Sequence, residues 1–143
     1  MKTLLALMLV AGFAAAEDKE LKLPDLKSKE WKELKDGDGL KIWDVKVGKG
    51  DAVPAKATVK VHYTGWLTDG TIFDSSVQRK EPIEFGLDQV IKGWTNGVPG
   101  MKPGGVRRLY IPWKLAYGER AAGGGKIPAK SDLVFEIELL EVK

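Results

Sequence analysis

The chain has 143 residues, 43% hydrophobic and 30% charged, which suits one domain with its own core and some flanking sequence but not two. Its formal charge of +3 comes from 23 basic and 20 acidic residues that interleave along the sequence, so no basic face for nucleic acid is expected. With no cysteine, and His62 as the only histidine, disulfides, thiolate metal sites, thiol nucleophiles and paired-histidine zinc helices are excluded, and neither metal nor cofactor is expected.

Met1 and Lys2 give a positive start, Leu4 to Phe13 is almost wholly apolar, and Ala14-Ala15-Ala16 precedes Glu17. That is the anatomy of a secretory signal peptide over residues 1–16. The run is shorter than the ~20 residues that cross a bilayer, and no second one follows. The expectation is an exported protein, periplasmic or extracellular, with no membrane span in the mature chain. Residues 17–38 form a charged extension interrupted by Pro24, in which Ser28 is expected to cap a short amphipathic turn of helix carrying Trp31 and Leu34. Asp36-Gly37-Asp38-Gly39 lacks the remaining ligands of a calcium loop and reads as a turn.

After Gly39 the period becomes two. Ile42 to Val47, then Ala57, Val59, Val61 and Tyr63 against Thr58, Lys60, His62 and Thr64, predict strands with one wet face. Ile83-Glu84-Phe85, Val106 to Ile111 and the alternation from Leu133 to Leu140 predict three more, with turns at Asp69-Gly70, Pro99-Gly100 and Pro103-Gly104-Gly105. A single helix is expected from about Leu87 to Asn96, with Val90, Ile91 and Trp94 on one face and Gly97 as its cap. The predicted class is therefore α+β, an antiparallel curled sheet of about five strands wrapped around one short helix. The glycine-rich connection from Tyr117 to Ser131 lacks the spacing of a phosphate-binding loop and reads as a flap beside a pocket.

Trp94 on the inner face of the helix, with Tyr63, Phe73, Tyr117 and Phe135 around it, would make either a filled core or a concave aromatic bowl with Val90 and Ile91 at its base. Residues from about Gly39 to Val142 resemble the FKBP-type peptidyl-prolyl cis-trans isomerases. The resemblance rests on seven strings in register: His62-Tyr63-Thr64-Gly65, Asp69-Gly70, Phe73-Asp74-Ser75-Ser76, Val90-Ile91-Lys92-Gly93-Trp94, Ala116-Tyr117-Gly118, Ile127-Pro128 and Leu133-Val134-Phe135. It implies an isomerase domain over residues 39–143 that acts on proline-containing unfolded or nascent exported polypeptides and can take macrolide inhibitors.

By the same resemblance, Trp94 would be the floor, Tyr63, Phe73, Tyr117 and Phe135 walls, and Asp74 the polar rim group held by Tyr63 and Arg79. Ile83, Val90, Ile91 and Ile127 would contact substrate, with the Ile91 N–H as a donor and Ile127 reaching in from the flap. Two departures stand out: Ile83 replaces a frequently aromatic wall residue, and Gln89 lies near a position that is often acidic. His62, one residue from Tyr63, should point to the opposite face and be structural. Rotation about a prolyl amide breaks no bond, so a site poor in titratable groups suits it. A non-catalytic module holding proline peptides in the same bowl is the alternative.

Overall fold

In the computed structural model, which describes residues 21–143, the period-two stretches lie in one antiparallel sheet of seven strands. They are β1 (Lys32–Glu33), β2 (Lys41–Lys46), β3 (Thr58–Leu67), β4 (Ile72–Ser75), β5 (Ile83–Gly86), β6 (Val106–Ile111) and β7 (Leu133–Val142). The leader expected over residues 1–16 and the first residues of the extension lie outside the described residues. Among those described, no helix is long and apolar enough to cross a membrane.

The order is β1-β2-β6-β7-β3-β4, with β5 also paired to β3. Strands β4 and β5 share one edge of β3 end to end, β4 opposite Thr64 to Trp66 and β5 opposite Thr58 to Val61. Between them the ladder has a gap at Tyr63. Ser76 fills it: its hydroxyl accepts the Tyr63 N–H at 2.7 Å and donates to the Tyr63 carbonyl at 3.3 Å. Ser76 opens a short helix, α1 (Ser76–Arg79), whose N-cap Ser75 accepts the Gln78 N–H through its side chain.

Alternation sorts the side chains as the sequence predicts. Val59, Val61 and Tyr63 of β3, Leu109 and Ile111 of β6, and Leu133, Phe135, Ile137 and Leu139 of β7 form the buried inner face. His62 lies on the other side, its Nδ1 2.9 Å from the Ser76 hydroxyl. Helix α2 (Lys92–Gly97) lies across the inner face. Gly93 meets Ile111 and Gly97 meets Leu109 with no space for a Cβ, so the helix backbone rests directly on β6.

Two short strands carry no periodic signal: β1 is only Lys-Glu, and β4 ends in Asp74-Ser75. The helical turn expected at Ser28 is replaced by local turns. Asp25 Oδ1 accepts the Lys27 N–H and Ser28 Oγ the Glu30 N–H, bonds that compete with a helix. The main helix begins at Lys92, not Leu87, because the Leu87 N–H donates back to the Ala57 carbonyl and Gln89 closes a turn on Gly86. Gly97 is the last helical residue; the cap is Val98, and glycine is required at 97 by the approach to Leu109.

Candidate functional site

On the inner face, where β3, β5, β7 and α2 converge, a cavity of about 460 Å³ opens to solvent. Its lining is Tyr63, Phe73, Asp74, Phe85, Gln89, Val90, Ile91, Trp94, Tyr117 and Phe135. Trp94, only 4% exposed, is the deepest side chain of α2 in this group and stands edge-on to three rings: Tyr63 at 5.5 Å, Phe85 at 5.3 Å and Phe135 at 5.4 Å between centroids. Phe73 meets Phe135 in the same manner at 5.5 Å. Edge-to-face contacts satisfy the ring quadrupoles while leaving a hollow that flat stacking would close. The two phenylalanines come together over Gly65, where a Cβ would lie 2.9 Å from Phe135 and closer still to Phe73.

Polar groups are confined to the rim. The Tyr63 hydroxyl donates to Asp74 Oδ2, Arg79 Nη1 donates to Asp74 Oδ1, and Arg79 Nη2 lies 3.4 Å from the Tyr63 oxygen. Helix α1 makes this possible by turning Arg79 back over Asp74, the left-handed Lys80 ending it one residue later. Partial burial alone would raise the Asp74 carboxyl, but the hydrogen bonds from Tyr63 and Arg79, with the Arg79 charge, outweigh it and hold the group below the usual carboxylate range. Burial first, and then the bond to Asp74, pushes the Tyr63 phenol up to about 12. Tyr117, 44% exposed, is also raised, by burial and by the nearby Asp74 charge.

Two donors on the lining are uncommitted. Among the described residues, neither the Tyr117 hydroxyl nor the Ile91 N–H has a hydrogen-bond partner. Ile91 precedes α2, and its carbonyl accepts the Trp94 and Thr95 N–H groups, so floor and donor belong to one rigid turn. Among the described residues no three acidic or histidine side chains converge as a metal site.

Of the ten residues expected at the site, the structure brings eight together: Tyr63, Phe73, Asp74, Val90, Ile91, Trp94, Tyr117 and Phe135. Ile83 and Ile127 are not on the lining. Ile83 sits opposite Val61 in the sheet and packs against the core, while Phe85, two residues on and on the same face, supplies the ring. Period two alone would have found Phe85. Ile127, 4% exposed, is buried beneath the flap instead of reaching from it, paired through its backbone with Ala122. It anchors the loop that carries Gly123–Gly125.

Residues 49–140 match the family model described as FKBP-type peptidyl-prolyl cis-trans isomerase. A probable FKBP-type peptidyl-prolyl cis-trans isomerase of Haemophilus influenzae is 45% identical over 133 residues, 93% of this chain and 54% of its own length. An FK506-binding protein of Neisseria meningitidis serogroup B is 50% identical over 106 residues, 73% of this chain and 96% of that protein. The crystal structure of a peptidyl-prolyl cis-trans isomerase from Pseudomonas syringae superposes with a TM-score of 0.72 at 38% identity, covering 99% of this chain and 96% of that one. The chain therefore spans about half the length of the Haemophilus relative.

Proposed function

This chain belongs to the FKBP-type peptidyl-prolyl cis-trans isomerase family, and we propose that it accelerates isomerisation of X-Pro bonds in exported polypeptides by taking the bond into the aromatic bowl. The observation that carries the reading is the division of the lining: apolar rings below, one fixed carboxylate at the rim, and two uncommitted donors, Tyr117 and Ile91.

Amide conjugation sets a barrier of ~20 kcal/mol to rotation and separates charge across the planar amide. Water stabilises that separation better than rings do, so transfer into the bowl raises the planar states relative to the twisted one. Trp94 receives the proline ring. Tyr117 and the Ile91 N–H hold the flanking carbonyls, and they speed rotation only in so far as their bonds are stronger to the twisted amide. Asp74 orients Tyr63 and Arg79 and supplies a fixed negative potential; already ionised and doubly bonded, it transfers no proton.

Export rests on the leader anatomy of residues 1–16. In the exported compartment the clients would be unfolded chains held up by proline isomerisation, which takes tens of seconds or more uncatalysed. That the Neisseria relative is an FK506-binding protein supports FK506 as a competitor for the bowl. A protease-coupled assay on a short Leu-Pro-Phe peptide tests the proposal. Acceleration at micromolar protein, abolished by FK506, is expected; a rate equal to the uncatalysed one would leave only a binding module.

A further inference from the structure

Strand β6 presents three inward side chains to α2, namely Ile111, Leu109 and Arg107, and the third is a cation. Arg107 is 9% exposed. A guanidinium withdrawn from water needs its donors occupied, and here four of the five N–H groups are. Nε and Nη2 donate to the two oxygens of Asp44 at 2.6 and 3.2 Å, and Nη1 donates to the carbonyls of Gly97 at 2.8 Å and Pro99 at 3.2 Å. The fork on Asp44, directly opposite in β2, aims the remaining nitrogen at the end of the helix.

That end needs holding. A helix of six residues is too short to persist alone, and its last carbonyls have no partner within it. Gly93 and Gly97 let α2 approach β6 closely but offer no side chains to interlock with it, so contact alone does not fix the helix lengthwise. Directional bonds must do so. Thr95 donates to the Leu87 carbonyl at 2.6 Å, and Arg107 grips the C-terminal end.

We propose that Arg107, oriented by Asp44, is a positioning residue for isomerisation, fixing α2 on β6 and so the Trp94 floor and the Ile91 donor. The proposal rests on the isomerase reading above. A displaced floor would still cover a proline ring, but it would no longer match the twisted amide, so the loss should fall on kcat more than on KM.

The test compares Arg107→Met with Arg108→Met. Arg108 is the next residue on the same strand but faces outward, bonded to Glu136 at 2.9 Å and lying over Trp43. Both are assayed at about 10 °C, where uncatalysed isomerisation is slowed to minutes, with folding checked by circular dichroism. Arg107→Met should lower kcat about tenfold with KM within about twofold, and Arg108→Met should leave kcat within about twofold of wild type at a similar loss of Tm. The Trp94 indole and Ile91 amide resonances should move in the first variant and not in the second.

Should Arg107→Met not fold, Arg107→Lys and Asp44→Asn carry the test, each expected to lower kcat about threefold. Wild-type kcat in Arg107→Met, or in both substitutes if it does not fold, overturns the proposal, as does an equal loss in Arg108→Met. An inactive wild-type protein would instead overturn the isomerase reading, and the two resonances would then decide whether Arg107 fixes the floor.

Discussion

The two faces of the sheet spend their aromatic residues differently. On the outer face Trp31 stands edge-on to Trp43 at 5.4 Å and to Tyr110 at 6.3 Å, the Arg108 guanidinium lies 4.3 Å from the Trp43 centroid, and Lys41 lies 5.5 Å from that of Tyr110. Each ring is matched by a cation or a neighbouring edge, and the Trp31 indole is bonded to the Asp25 carbonyl at 2.9 Å. On the inner face Tyr63, Phe85 and Phe135 each meet Trp94 edge-on, and among the described residues no ammonium or guanidinium lies over these rings. The first arrangement closes on itself. The second leaves ring surface facing an opening, so aromatic content alone does not make a site; what matters is whether the ring surfaces already have partners.

Removing the floor should have the largest effect. Trp94→Ala should cost ~3–5 kcal/mol of stability and lower kcat/KM about 100-fold at a temperature where the variant remains folded, as measured by urea melts and the peptide assay. An intact rate would mean that the floor is only core. Next, Asp74→Ala should reduce kcat/KM roughly tenfold while changing stability by less than about 1 kcal/mol, because the Asp74–Arg79 pair is substantially exposed. A stability loss without a rate loss would make Asp74 a turn residue and erase the distinction at the rim.

Trp31→Ala probes the outer face. It should cost about 1–2 kcal/mol, from the lost indole bond and edge contacts, and leave kcat/KM unchanged. The smallest effect concerns pH. The Asp74 carboxyl is depressed in the folded protein, so its stabilisation is complete above the ordinary carboxylate pKa and is lost as pH falls through the depressed value. The Tyr63 and Tyr117 phenols are raised and stay protonated. A profile of kcat/KM should thus be flat between about pH 5 and pH 9 and fall only below about pH 4. A bell centred near neutrality would point to proton transfer that the bowl does not provide.

Much of the inner face was legible because strands write it at every second residue. Val59, Val61, Tyr63, Leu109, Ile111, Phe135 and Ile137 all fall where alternation puts them. Val90 and Ile91 were harder: apolar residues spaced toward Trp94 fit a helix face equally well, and only the bond from Leu87 to Ala57 shows that they lie in a loop before α2. The family pattern pointed to Ile83 where Phe85 supplies the ring, since both share one face and only the cavity shape separates them. Arg107 was only partly legible. Period two from Leu109 and Ile111 places it on the inner face, but the carboxylate that lets a cation be buried there is 63 positions away.

Whether proline amides rotate in the open inner bowl is read by two-dimensional exchange NMR on a proline peptide with a small fraction of isotope-labelled protein. Rotation in the bowl should give cis-trans exchange cross-peaks that are absent without protein, with peptide-induced shifts at Phe73, Ile91, Trp94 and Tyr117 and none at Trp31, Trp43 or Tyr110. Exchange no faster than in the free peptide, or shifts concentrated on the outer aromatics, would contradict it.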